Sequence, residues 1–128
     1  HAKEFVRAMW LMLDQTEPDD FVIATGETHT VREFLEESFA LVGIDVEPNG
    51  KTGLEEEYIR TDTGDVVVKM DPRYLRPTEV DILLGDSTKA KKQLQWQPQI
   101  KFKDLVKEMI EKDSELLHLE LYGQRGRK

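Results

Sequence analysis

The chain has 128 residues, the size of one domain, and its 38% hydrophobic content with five Phe and two Trp excludes disorder of the whole. A formal charge of −8 repels a phosphate backbone and argues against general nucleic-acid binding. There is no cysteine, so no disulfide, thiolate metal site or thiol nucleophile, and no apolar run reaches membrane-spanning length.

The chain opens on His1 rather than Met, so a missing upstream neighbour is expected; the lack of cysteine and of a signal peptide fits a reducing, cytoplasmic setting. Phe5, Val6, Met9, Trp10 and Leu13 recur at helical spacing and predict a helix over Ala2–Gln15, ended by Pro18 in an acidic turn. A helix this apolar must pack on something: the domain's own sheet, or a domain outside the chain. Phe21-Val22-Ile23-Ala24, a short apolar run between turn residues, reads as a buried strand. Thr30 opens the next helix with a capping box to Glu33. Phe34, Leu35, Phe39 and Val42 are its expected inner stripe, and Gly43 its left-handed stop.

From Glu47 to Gly64 the chain is polar, with Gly50, Gly53 and the acidic run Glu55-Glu56-Glu57. This predicts a surface excursion holding one short strand, Tyr58–Arg60. Val66–Val68 is a firmer strand. Asp71–Gly85 is irregular, because Pro72 and Pro77 remove backbone donors and disfavour helix around them. Asp86 or Ser87 caps a short helix through Leu94. A long helix follows from about Phe102 to Leu117, with Leu105, Val106, Met109, Ile110, Leu116 and Leu117 inward. Residues 119–128 are expected as a disordered tail, and its basic cluster Arg125, Arg127 and Lys128 as a frayed terminus.

Most catalytic signatures are missing. His1, His29 and His118 have no partner at metal-ligand spacing, and His29 reads as a turn residue. There is no Gly-x-Gly-x-x-Gly, no Walker loop and no Gly-x-Ser-x-Gly elbow. No tyrosine is followed by Lys four positions on, the spacing that lets Lys lower a phenol's pKa.

What remains is Arg76-Pro77-Thr78-Glu79-Val80-Asp81. Arg76 carries a rigid fork of donors suited to phosphate, and Glu79 an acceptor suited to sugar hydroxyls. The alternative is an Arg–Glu surface pair of little energetic weight. On chemistry alone the two readings stand near even.

The same segment belongs to a wider resemblance. His1–Trp10, Asp20–Gly26, Val31–Phe34, Arg76–Asp81, Gly85–Ala90 and Trp96-Gln97-Pro98 run in the order of the C-terminal part of the GDP-mannose 4,6-dehydratases, within the extended short-chain dehydrogenase/reductase family. The resemblance reaches to about Leu117. It implies an α/β fold: a small C-terminal substrate-binding domain over residues 1–118, short strands with packed helices, and the Rossmann domain absent. It implies a reaction in which tightly held NADP oxidises C4 of GDP-mannose, water is eliminated, and the hydride returns to C6. The product would be GDP-4-keto-6-deoxymannose, on the route to GDP-fucose.

Catalytic residues and the NADP site would lie in the missing N-terminal domain. Here Arg76 would contact phosphates or ribose and Glu79 the ribose hydroxyls. The resemblance also implies a full-length homo-oligomer, dimer or tetramer, and an isolated chain with no turnover of its own. Glu4 stands where the family usually has Asp, and Gln95 where relatives often have Gly or Asn. Gly50–Gly64 matches poorly. Two other readings are weighed: a GDP-4-keto-6-deoxymannose reductase fragment, disfavoured by Thr78-Glu79-Val80-Asp81, and a non-catalytic interaction module. A Gly-rich turn and a Tyr-x-x-x-Lys upstream in the gene would separate the enzyme from the module.

Overall fold

The computed structural model describes residues 1–76 and 82–123. In chain order the elements are α1 (Ala2–Leu13), α2 (Val31–Leu41), β1 (Val46–Pro48), β2 (Glu57–Arg60), β3 (Val66–Lys69), α3 (Thr88–Gln93) and α4 (Phe102–Gly123), with 3₁₀ turns at Gly53–Glu55 and Pro72–Tyr74. The fold is α/β, with one three-stranded antiparallel sheet in the order β1-β2-β3 among the described residues. The chain divides into two compact units, 1–29 with 82–105 and 30–76 with 106–123.

In the first unit the core gathers Ala8, Ala90, Leu94 and Trp96, with Leu11, Met12, Phe21 and Ile23 packed against it. Ala8 and Ala90 are both fully buried in this cluster with the indole. Trp96 is 2% exposed, and its N–H donates to the Glu4 carbonyl at 3.1 Å. The Glu4 carboxylate is buried too. One of its oxygens, Oε1, accepts from the Ile100 N–H at 3.0 Å and from the Gln99 N–H. The longer side chain at position 4 therefore reaches the backbone just ahead of α4.

One reading left open is narrowed here, and one expectation changes. The buried face of α1 carries Glu4 and Ala8, flanked by half-buried Leu11 and Met12. The predicted stripe faces water instead: Phe5 is 41% exposed, Val6 63%, Met9 59%, Trp10 74% and Leu13 86%. Spacing finds apolar faces, but it cannot choose between two on one helix; the packing of Ala8 into the core decides. Phe21–Ala24 is not part of the sheet and is only partly buried. It is held instead by side chains. Lys89 Nζ donates to the Asp20 carbonyl at 2.8 Å, pairs with Asp19 at 2.6 Å and lies 4.9 Å over the Phe21 ring.

Gly85 packs so close to this run that a Cβ there would sit 2.5 Å from the Ala24 Cβ and 3.3 Å from Val22 Cγ1. Neither neighbour has a flexible end to move aside. Gly85→Ala is therefore expected to destabilise by about 1–3 kcal/mol in urea titrations. An unchanged midpoint would show that the contact relaxes freely.

The Asp86 carboxylate accepts from the Thr88 N–H at 2.9 Å, and this contact holds its pKa below the usual range. Ser87 occupies the cap position of α3, yet its buried hydroxyl has no hydrogen-bond partner among the described residues. At the other end Gln95 is left-handed, with φ 53°, and the Trp96 N–H reaches back to the Ala90 carbonyl at 3.4 Å. A residue with a Cβ is strained in that conformation, whereas glycine is not. Gln95→Gly is expected to raise stability by about 1 kcal/mol, read as a higher urea midpoint with unchanged slope.

In the second unit the capping box of α2 forms as expected: the Glu33 N–H donates to Thr30 Oγ1 at 3.0 Å, and the Thr30 N–H to the Glu33 carboxylate at 2.7 Å. Gly43, at φ 71°, follows the helix end. Phe34, Leu35 and Phe39 are half-buried, while Val42 is exposed. The excursion after Glu47 is more ordered than its composition suggests. It supplies most of β1 and all of β2, paired Val46↔Arg60 to Pro48↔Tyr58. Asn49 ties the connection, its amide donating to the Glu55 carbonyl at 2.9 Å and its backbone N–H to the Glu57 carbonyl at 2.9 Å. Pro48 is tolerated because β1 is an edge strand. β2 pairs with β3, Tyr58 opposite Val68, with a bulge between Tyr58 and Ile59.

In α4, Val106 is fully buried and Leu105 and Ile110 partly so, whereas Met109, Leu116 and Leu117 are exposed. The helix runs to Gly123, past the expected end near Leu117. The basic cluster Arg125, Arg127 and Lys128 lies outside the described residues. No helix among the described residues is long and apolar enough to cross a membrane.

Candidate functional site

The sheet positions the candidate segment. β3 ends at Lys69 and hands the chain to Met70 and Asp71. Asp71 starts a 3₁₀ turn by accepting from the Arg73 N–H at 2.9 Å, with Pro72 in the first position, where its missing N–H costs nothing. The Arg73 guanidinium then grips Asp71, Nη2 to Oδ2 at 2.5 Å and Nε to Oδ2 at 3.0 Å, and lies 5.5 Å over the Tyr74 ring. The Arg73 side chain, and next its backbone N–H, hold the Asp71 carboxyl below the usual carboxylate range. Arg73 is thus committed to the turn. Arg76 follows as an exposed residue. Glu79, with the rest of 77–81, lies outside the described residues.

Beside this segment a cavity of about 330 Å³ opens between the start of α2 and the sheet, lined chiefly by Val31, Leu35, Val68 and Met70. Arg32 and Glu56 form one edge as a two-pronged pair, at 2.6 and 2.7 Å. The Glu56 contact raises the Arg32 pKa, and the same contact lowers that of Glu56. Tyr58, on the cavity wall, donates its hydroxyl to Glu36 at 3.0 Å. Burial first, and the Glu36 carboxylate second, push the Tyr58 phenol up. An apolar slot with its charges already paired can accept a flat or aliphatic group. It offers no unpaired charge for catalysis.

Sequence reasoning missed this edge. Arg32 and Glu56 stand 24 residues apart, and nothing local links them. A lesser cavity of about 150 Å³ in the first unit is walled partly by His29, whose ring stacks on Phe102 at 3.9 Å and 9°. Glu27 bridges to Lys101 at 3.0 Å and to His29 at 3.6 Å, and Lys101, more than His29, lowers its pKa. His29 is therefore more than a turn residue. Among the described residues no group of three His, Cys, Asp or Glu could hold a metal.

Fold and site together define a small α/β chain whose candidate site is an arginine-bearing segment leaving an antiparallel sheet. The family model described as GDP-mannose 4,6 dehydratase matches residues 1–109, and the chain belongs to that family. A GDP-mannose 4,6 dehydratase of Dictyostelium discoideum is 56% identical over 117 residues, which cover 91% of this chain and 33% of the relative. The human protein of that name is 54% identical over 118 residues, covering 91% and 31%. One from Sinorhizobium fredii is 50% identical over 113 residues, covering 88% and 32%. The chain thus spans about a third of the length of the curated relatives it matches.

Proposed function

We propose that this chain is the C-terminal, substrate-binding part of a GDP-mannose 4,6-dehydratase of the extended short-chain dehydrogenase/reductase type. As a whole such a protein converts GDP-mannose to GDP-4-keto-6-deoxymannose with NADP. The observation that carries the reading is identity above one half with dehydratases of two distant eukaryotes over 91% of the chain. The geometry is compatible with a substrate-holding role. Arg73 is occupied by Asp71 within the turn, and the turn delivers Arg76 to an exposed position. Residues 1–118 would form the nucleotide-sugar-binding part, with Arg76 on the phosphates or ribose and Glu79 on the ribose hydroxyls.

NADP is assigned to the N-terminal Rossmann domain of the longer protein. The sheet here is antiparallel. Among the described residues, no parallel strand leads through a glycine-rich turn into a helix, the arrangement that cradles a dinucleotide pyrophosphate. The described residues therefore do not fit that cofactor. Assembly as a dimer or tetramer is part of the same proposal.

In the full-length protein Arg76→Ala is expected to weaken GDP-mannose binding by about 1.5–3 kcal/mol, the weight of a charge-assisted hydrogen bond, and to leave NADP affinity unchanged. Calorimetric titration with each ligand checks this. Equal losses for both would make Arg76 structural and sink the assignment.

A further inference from the structure

Asn49 is the only asparagine in the chain, and a glycine follows it. The pair sits where β1 hands over to the turn before β2. Gly50 is exposed at φ 77°, and a Cβ built on it would meet nothing within 4 Å. Among the described residues no hydrogen bond holds its N–H. The Asn49 side chain is held at both ends. Nδ2 donates to the Glu55 carbonyl at 2.9 Å and to the Glu57 carboxylate at 3.4 Å. Oδ1 accepts from the Lys51 N–H at 3.0 Å. That last bond is an Asx turn, which curls the side-chain amide back over the Gly50 peptide.

We infer that Asn49 is a modification site, where the folded chain deamidates itself and so releases the β1–β2 connection. The Gly50 amide nitrogen gives its proton to hydroxide and attacks Asn49 Cγ. The N–Cγ bond forms, the Cγ–Nδ2 bond breaks, and Nδ2 takes protons from water and leaves as ammonia. Water then opens the cyclic imide at either carbonyl, giving aspartate or isoaspartate. No side chain on Gly50 shields the attacking nitrogen. The Asx turn brings nitrogen and Cγ together before they react. The Lys51 N–H points at the oxygen on which negative charge grows in the tetrahedral adduct.

The product reverses the sign of the contact. A donor becomes a carboxylate oxygen that faces two acceptors, the Glu55 carbonyl and the Glu57 carboxylate. The cations beside them are already paired, Lys51 with Glu55 at 3.7 Å and Lys69 with Glu57 at 3.0 Å. Isoaspartate also lengthens the backbone by a carbon, next to an Asn49 N–H that donates to the Glu57 carbonyl at 2.9 Å. Glu56 stands between the two residues that Asn49 ties, and it holds Arg32 at the edge of the larger cavity. Modification at Asn49 therefore reaches the wall of that cavity.

The 128-residue chain is incubated in mildly alkaline buffer, folded and in guanidinium chloride. Peptide mass spectrometry and isoaspartyl methyltransferase labelling follow the conversion. Ammonia loss is expected at Asn49, with both products formed, and at a folded rate no lower than the unfolded one. A folded rate more than about tenfold below the unfolded one overturns the inference, because the bonds on Nδ2 would then act as a lock. The Asn49→Asp variant carries the product from the start. Its urea midpoint is expected below that of the parent at neutral pH, and the gap is expected to close in acid, where the protonated carboxyl can donate again. Equal midpoints at neutral pH, or a gap that does not change in acid, would show that the Nδ2 donation does not hold the connection and would remove the switch.

Discussion

Replacing Trp96 with alanine is expected to remove about 3–5 kcal/mol of stability, a large share of what a domain of this size possesses. The side chain is 2% exposed and sits among Ala8, Ala90 and Leu94, with only half-buried residues beyond them. Its loss opens a cavity that two alanines cannot fill. It also strips the Glu4 carbonyl of its indole donor. The other tryptophan is an internal control. Trp10 is 74% exposed, and Trp10→Ala should fall within about 0.5 kcal/mol of the parent. Urea titration followed by far-UV circular dichroism reads both. Similar midpoints for the two variants would show that the core does not centre on Trp96.

Glu4→Ala is expected to cost about 3 kcal/mol, although it removes no apolar contact. One carboxylate oxygen serves both the Gln99 and Ile100 N–H groups, and truncation leaves two part-buried donors without a partner, at about 1–3 kcal/mol each. Glu4→Gln keeps an acceptor of the same reach and should recover part of the loss. Glu4→Asp tests whether reach matters. Amide hydrogen exchange supplies a readout that general destabilisation does not mimic. In the alanine variant Gln99 and Ile100 should exchange faster than their neighbours under native conditions. Unchanged protection at both amides would rule out the carboxylate as their acceptor.

Acid should loosen several exposed contacts together. The carboxyls of Asp71, Glu56 and Asp86 are held below their ordinary values, by Arg73, by Arg32 and by Thr88 respectively. A lowered folded pKa contributes stability that is present above the unfolded value and fades as pH falls through the folded one. All three groups lie near the surface, so screening keeps each contribution small.

How much was legible depended on how local each interaction is. The Thr30–Glu33 box spans three residues, and it formed as read. Val66–Val68 and Tyr58–Arg60 carry their strand preference in their own side chains, and both are strands. The resemblance placed Gln95 where relatives often have Gly or Asn, and its backbone is left-handed. β1 was missed because Glu47 and Pro48 have no strand preference; the edge position and the pairing with β2 make them one. For the candidate site, Arg76 could be picked out by chemistry and resemblance. The Arg73–Asp71 turn beside it emerged only from the fold.

The amino-acid sequence by itself determined the family, the existence of the helices and the capping box of α2. Those are carried by residue identity and by neighbours within one or two turns. The tertiary structure decided which face of α1 is inside, that Glu4 secures the approach to α4, and that Arg32 meets Glu56. Each of these depends on residues more than twenty positions apart. Periodicity records that a helix has an apolar side; only packing tells which of two such sides the chain itself buries.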